Sequence, residues 1–179
     1  MINLFHAFLV LAASASLSFG ITTKTVPVGE EVKVPLYVSS AGIETIGTDI
    51  VISFDPKILY ATKVVPGDLY PSYPPNTIDI DNTHGKIWFS GTVGTHVPRV
   101  VEGTVGSVFF RTKKVGITSI SFTFERQGTA DSNIIPLLGP VDLLNEQPKD
   151  LELVIKEANF LERILFSLQR ITSFDYLRF

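Results

Sequence analysis

Hydrophobic and polar residues alternate with a period of two through most of the chain. This is the pattern of strands that bury one face. The segments that carry it are "EVKVPLYV" (31–38), "TDIVISF" (48–54), "ILYATKVV" (58–65), "TIDID" (77–81), "KIWFSGTV" (86–93), "GTVGSVFFRT" (103–112), "ITSISFTFE" (117–125) and "DLELVI" (150–155). No helical segment separates them, so the strands should be mostly antiparallel. The pattern predicts an all-β fold, an antiparallel β-sandwich or jelly roll of about nine strands.

Turn residues punctuate these strands. Pro35 lacks an amide donor, so its strand should lie at an edge or bulge there. Asp55-Pro56 ends the second strand, because proline cannot extend the ladder and restricts the residue before it. The small polar residues 82–85, "NTHG", predict a hairpin between "TIDID" and "KIWFSGTV".

The first 20 residues, "MINLFHAFLVLAASASLSFG", form an apolar run that ends in small residues. This is typical of a helical secretory signal, with cleavage after Ala15 or Gly20, although no Lys or Arg precedes the run. An uncleaved membrane anchor is the alternative, since the run is just long enough to span a bilayer. Both interpretations place the remainder, 21–156, outside the cytoplasm, in a secreted or cell-surface location.

The last residues, 157–179, predict an amphipathic C-terminal helix. Leu161, Ile164, Leu168 and Ile171 follow a helical spacing, and charged residues lie mostly away from that stripe. Three interpretations remain open: packing on the preceding domain, self-association, and attachment to a membrane surface.

Composition narrows the function. Charged residues make up 18% of the chain, the net charge is −3 and the basic residues are scattered, which argues against a nucleic-acid partner. The chain has no cysteine, so disulfides, thiolate metal sites and cysteine catalysis are excluded. His84 and His96 do not form a zinc motif, and no sequence motif of a hydrolase or nucleotide-binding loop is present. The chain is therefore expected not to be an enzyme and to need no cofactor or metal of its own.

The stretch "GTDIVISFDPKILYATKVVPGDLY" (47–70) resembles the third-strand region of cohesin domains, which are jelly-roll modules that bind dockerin domains. "NTIDIDNTHGKIWFSGTVG", "GTVGSVFFRTKKVGITSISF" and "ADSNIIP" resemble later elements of that family, in the same order. The resemblance covers roughly residues 24–156. It implies a non-catalytic extracellular module that recognises a calcium-loaded dockerin through one sheet face.

The alternation of side chains predicts where that face lies. Asp49 stands where the resemblance implies an acidic residue of the dockerin-contacting face. Strand alternation places other residues on the same outward side. The predicted partner-binding residues are Asp49, Val51, Ser53, Asp79, Trp88 and Ser90. An indole surrounded by polar groups suits a protein interface.

Other functions stay open at this stage. Trp88, with Tyr60, Tyr70 and Tyr73, would serve a carbohydrate-binding module of a polysaccharide-degrading or cell-surface system. Asp79 and Asp81 share one strand face, but two neighbours on one strand flank a glycosidic bond poorly. The same two aspartates and Asn82 are compatible with Ca²⁺, without the Gly and terminal Glu of an EF-hand loop. A structural subunit joined through the C-terminal helix is a further alternative.

Overall fold

The computed structural model describes residues 14–22, 24–94 and 97–161 of the chain. Strands dominate the described part. They are β1 (Ser16–Phe19), β2 (Lys24–Pro27), β3 (Glu31–Phe54), β4 (Leu59–Pro66), β5 (Asp79–Asp81), β6 (Lys86–Thr92), β7 (Arg99–Thr112), β8 (Gly116–Phe122), β9 (Asn133–Pro136) and β10 (Leu151–Lys156). A short 3-10 turn, Pro75–Thr77, precedes β5. The predicted all-β antiparallel sandwich is confirmed.

Strand β3 is long enough to serve both layers of the sandwich. It runs for 24 residues and bends where Ala41 and Gly42 adopt positive φ angles of 53° and 83°. Such angles suit glycine, which has no Cβ to clash with the backbone. The sequence predicted separate strands over 31–38 and 48–54, whereas the structure joins them through this bend.

Each half of β3 organises one layer. Its first half pairs with β7 on one side and with β1 on the other, and β4 continues that layer beyond β7. Its second half pairs with β6 on one side and with β8 and β9 on the other. Beyond these, β5 follows β6, and β10 and β2 follow β8. The second layer therefore presents a wide sheet whose outer side includes β5, β6, β3 and β8.

The inward side chains of both layers form one core. Aromatic rings join the layers at two points: Phe54 meets Phe110 edge to face at 5.2 Å, and Phe19 stacks on Phe122 at 4.3 Å between centroids. Aromatic pairs at these distances add to the energy of area burial. The core thus depends on β1 as well as on the longer strands.

Three strands lie outside the eight alternating segments: β1, β2 and β9, of which β9 was expected only from the family resemblance of "ADSNIIP". Ser16–Phe19 forms β1, which lies within the segment 1–20 that the sequence assigned to a signal or anchor. Leu17 is buried in the core, so the domain begins before the predicted boundary at residue 20. Lys24–Pro27 forms β2, which pairs with β10 in parallel. Four-residue strands carry too few alternations for the pattern to be recognised.

The two terminal helices remain predictions. Residues 1–13 lie outside the described residues. Phe160 and Leu161 are helical, and the rest of the predicted tail, 162–179, lies outside them as well. The described residues contain no helix with the length and hydropathy required to span a membrane.

Candidate functional site

The outward side of β5, β6 and the second half of β3 brings most of the predicted binding residues together. The register sets Asp49 opposite Ser90 and Val51 opposite Trp88, and Trp88 opposite Asp79 on its other side. We call this surface the Trp88 face, defined by Asp49, Ser53, Asp79, Trp88 and Ser90. Side-chain parity on paired strands was sufficient to predict this grouping.

Hydrogen bonding fixes Asp49. Ser90 Oγ donates to Asp49 Oδ1 at 2.5 Å across the β3–β6 pair. The hydroxyl thereby orients the carboxylate on the strand surface, where it is half-buried. Asp49 Oδ1 is thus held by Ser90.

Trp88 is half-buried at the centre of this face. Lys86 Nζ lies 5.8 Å from the centroid of the indole, on the same strand face, which is within the range of a cation–π contact. A half-exposed indole between a carboxylate and an ammonium combines apolar area with charge, as interface anchors do. Trp88 is thus neither fully buried nor fully exposed.

Val51 was predicted to be part of the exposed surface, and that prediction is wrong. Its side chain is only 5% exposed. The segment before β9 closes over this position: Val51 N donates to Ser132 Oγ at 2.9 Å, and Ser132 Oγ donates to Val51 O at 2.8 Å. Parity gives the side of a sheet to which a side chain belongs, but not which loops cover that side.

The same covering segment forms one wall of a depression beside Trp88. The depression has a volume of about 390 Å³ and is lined by Asp49, Ile50, Val51, Trp88, Ser90, Thr129, Ala130 and Asp131. The sequence pattern does not predict the position of residues 129–131, because a loop between strands has no periodicity from which its position could be derived. The Trp88 face is therefore a sheet surface with a raised edge on the β8–β9 side.

Asp81 has a local structural role. Its carboxylate accepts from Thr83 N at 2.8 Å and His84 N at 3.0 Å, and it contacts His84 Nδ1 at 2.6 Å. The backbone and side-chain bonds from His84 lower the pKa of Asp81. Asp81 thus stays ionised to organise the β5–β6 turn, which is opposite to the raised pKa of a general acid. Asp79 is exposed on the neighbouring position of β5.

Asn82 also acts structurally. Its Oδ1 accepts from Ala61 N at 2.8 Å and its Nδ2 donates to Ala61 O at 2.9 Å, which ties the hairpin to β4. Of the three suggested Ca²⁺ ligands, Asp81 and Asn82 therefore hold the turn and its contact with β4, and Asp79 is exposed. Within the described ranges, no group of three or more His, Cys, Asp or Glu side chains is placed to hold a metal ion.

The tyrosines do not extend Trp88 into an aromatic platform. Tyr70 is 3% exposed, and its hydroxyl lies between Thr48 Oγ1 at 2.6 Å and Thr45 Oγ1 at 3.4 Å. This burial raises the pKa of Tyr70. Tyr60 lies on β4, which belongs to the other layer. The geometry thus weakens the carbohydrate-binding alternative.

Solved structures similar to this chain share its fold. The seventh ScaB type I cohesin from Pseudobacteroides cellulosolvens is 16% identical, with a TM-score of 0.61 over 81% of this chain and 95% of that one. The third ScaC cohesin of Acetivibrio cellulolyticus, in complex with the ScaB dockerin, is 17% identical, with a TM-score of 0.61 over 80% and 100%. A type II cohesin domain from the cellulosome of Acetivibrio cellulolyticus is 18% identical, with a TM-score of 0.60 over 79% and 95%.

The family assignment comes from the sequence profile. No curated protein matches the chain at a significant level. The profile of the cohesin domain matches residues 17–135, which begins inside β1 and ends inside β9. This match spans more than half of the chain and includes both halves of β3. The chain belongs to the cohesin domain family.

Proposed function

We propose that this chain is a non-catalytic, extracellular binding module that recognises a dockerin through the Trp88 face. The observation that carries the proposal is the cohesin match over residues 17–135. Similar structures support it, since one is the third ScaC cohesin with the ScaB dockerin and another is a ScaB cohesin with the Cel5 dockerin. The dockerin is expected to be calcium-loaded, as the family resemblance implies.

The Trp88 face has the composition of an interface centre. Trp88 offers apolar area, and Asp49 and Asp79 offer carboxylates on either side of it along the sheet. Tryptophan is over-represented among the residues that dominate binding energy, and surrounding polar groups exclude water from it. We expect a basic or hydroxyl-rich surface of the partner to meet the two carboxylates.

The outer side of the other layer provides a matched control. Phe109 on β7 is half-buried there, and Lys63 Nζ lies 4.4 Å from its ring centroid. Lys33 faces Phe109 from β3. This surface thus carries an aromatic ring with charged neighbours, as the Trp88 face does, but it belongs to the opposite sheet.

The test is calorimetric titration of a calcium-loaded dockerin into three proteins: the wild type, the double variant Asp49→Ala/Trp88→Ala, and the control double variant Lys33→Ala/Phe109→Ala. We expect the first double variant to lose about 2–4 kcal/mol of binding free energy, as for interface hot spots. The control should bind like the wild type. Circular dichroism verifies that both variants fold.

Equal binding by all three proteins would exclude the Trp88 face as the site. A loss confined to the control variant would move the site to the other layer. Binding of soluble glucans or xylans with a change in Trp88 fluorescence, but no dockerin binding, would favour the carbohydrate-binding module.

Export is part of the proposal. Cleavage after Gly20 would remove β1, whereas cleavage after Ala15 would leave Ser16–Phe19 in place. We therefore favour Ala15 as the cleavage site, and the mass of the chain recovered from the culture medium tests this. A mature chain that starts at Ile21 would contradict it.

A further inference from the structure

Three polar side chains near the raised edge of the Trp88 face each bury one oxygen without a hydrogen-bond partner. The oxygens are Asp131 Oδ1, Asn133 Oδ1 and Asp142 Oδ2. The residues are 5%, 4% and 2% exposed. Buried polar atoms in folded proteins nearly always have a partner, so three exceptions in one region require an explanation.

The other polar atoms of the same side chains are bound to the protein. Asp142 Oδ1 accepts from Ile134 N and from Leu144 N, both at 2.9 Å. Asp131 Oδ2 accepts from Glu125 N. In each carboxylate one oxygen accepts hydrogen bonds from the backbone, and the other oxygen is buried without a donor. The three atoms without a partner are therefore all oxygens that can accept a hydrogen bond or bind a cation.

Two chain segments that flank β9 carry Asp131 and Asp142, the first before the strand and the second after it, and Asn133 is the first residue of β9. Leu143 N donates to Ile134 O at 3.0 Å, which holds the second segment against β9. At Gly128 an added Cβ would collide with Asp131 Oδ1, so the loop wraps closely around this carboxylate.

Burial raises the pKa of the Asp142 carboxyl, and the negative charge of Asp131 adds to that effect. Among the ion pairs of the described residues, none joins a Lys or Arg to either carboxylate. Two buried carboxylates beside each other are unfavourable unless a positive charge lies close to them.

We propose that Asp131, Asn133 and Asp142 form a binding site for a divalent cation of the calcium type. Carboxylate and carboxamide oxygens are the ligands that Ca²⁺ prefers, and the remaining positions of its shell are filled by backbone carbonyls or water. The site is distinct from Asp79, Asp81 and Asn82, whose sequence is compatible with Ca²⁺ but lacks the Gly and Glu of an EF-hand loop.

The site would stabilise the edge of the Trp88 face. Asp131 lines the depression that contains Trp88 and Asp49. Ser132, between two of the proposed ligands, makes both hydrogen bonds to the backbone of Val51. A cation bound by Asp131 and Asn133, the residues that flank Ser132, would fix this segment against β3.

The experiment uses the full chain alone, stripped with EDTA and dialysed, so that its outcome does not depend on a dockerin. Thermal unfolding is followed across CaCl₂ concentrations from about 1 µM to 10 mM, which ends about tenfold above the Kd of the weakest protein calcium sites. We expect Tm to rise by about 5 °C or more once calcium exceeds Kd by roughly 100-fold. Calorimetric titration should give one site per chain, and MgCl₂ should have a smaller effect.

The variant Asp142→Asn distinguishes cation binding by Asp142 from a purely structural role of its carboxylate. The variant keeps an oxygen for Ile134 N and Leu144 N but removes one charge. We expect its calcium affinity to fall by about tenfold or more, since affinity depends on ligand charge. Its Tm in EDTA should be equal to or above that of the wild type, because the repulsion from Asp131 is relieved.

Asp150→Asn, at an exposed position, is the control and should respond to calcium as the wild type does. If Asp142→Asn does not fold, Asp131→Asn carries the same comparison. A wild-type Tm that is identical in EDTA and in 10 mM CaCl₂ (about tenfold above the Kd of the weakest such sites) overturns the proposal. So does an Asp142→Asn variant that keeps the full wild-type response.

Discussion

Two groups of aspartates, one on the β5–β6 hairpin and one around β9, show how differently the same side chain can be used. Asp79 and Asp81 lie on an exposed strand and turn, where Asp81 accepts hydrogen bonds from the backbone of its own turn. Asp131 and Asp142 lie inside the protein, and each keeps one oxygen without a donor. The spacing in the sequence is only compatible with a cation at the first group, whereas the buried oxygens of the structure favour the second.

The difference follows from burial. A carboxylate at the surface obtains any missing hydrogen bonds from water, so an open coordination position there indicates little. A carboxylate in the interior has no such supply, and an oxygen left without a donor costs about 1–3 kcal/mol. An unpaired oxygen is therefore informative around β9 and uninformative on the hairpin.

The largest effect is expected from Asp142→Ala. This change removes the acceptor of Ile134 N and Leu144 N, both buried, and it leaves a small cavity. We expect a loss of about 2–4 kcal/mol in the free energy of unfolding, measured by urea denaturation in EDTA. Asp150→Ala, at an exposed site, is the control and should change stability little. A loss in Asp142→Ala no greater than in the control would show that the carboxylate does not organise this region.

A smaller and pH-dependent effect is expected from Asp81→Asn. The hydrogen bonds from His84 and Thr83 lower the pKa of Asp81 from its ordinary value of 3.8, so the ionised carboxylate favours the folded state. A depressed pKa adds stability that is complete above the unfolded-state value and is lost as the pH falls through the folded-state value.

Thermal unfolding of the wild type and Asp81→Asn should therefore differ slightly at pH 7 and converge below about pH 3.8. His84→Ala, which removes the ring contact but keeps both backbone donors, is the companion variant and should show part of the same difference. A gap between wild type and Asp81→Asn that widens on acidification would contradict the assigned role.

The sequence was informative where periodicity was long. The alternation over 31–38, 48–54 and 103–112 predicted the sandwich, and the parity of β3 and β6 predicted that Asp49, Trp88 and Ser90 share one side. The alternation also restricts the register of strand pairing, because a shift of one residue would turn the apolar side chains out of the core.

The sequence was uninformative where position depends on contacts between distant segments. Val51 was assigned to the surface because alternation takes no account of the loop that carries Ser132 over it. The ligand set around β9 was missed for the same reason, since Asp131 and Asp142 approach each other only when two irregular segments fold around β9. β1 was missed because its residues, Ser16–Phe19, also fit the end of a signal segment.

The smallest effect is expected from Asp79→Ala, and it tests whether the hairpin aspartates serve binding at all. Asp79 is exposed and faces Trp88 across the β5–β6 pair, so its removal should leave the free energy of unfolding unchanged. Dockerin affinity should fall by less than about 1 kcal/mol, because a charge at the rim of an interface contributes mainly to the association rate. Stopped-flow association at low and high salt separates the two contributions, with Glu102→Ala on β7 as a control of equal charge change. If association is slower in Asp79→Ala at low salt only, the hairpin carboxylate takes part in partner recognition. If Asp79→Ala and Glu102→Ala associate at identical rates, Asp79 takes no part in it.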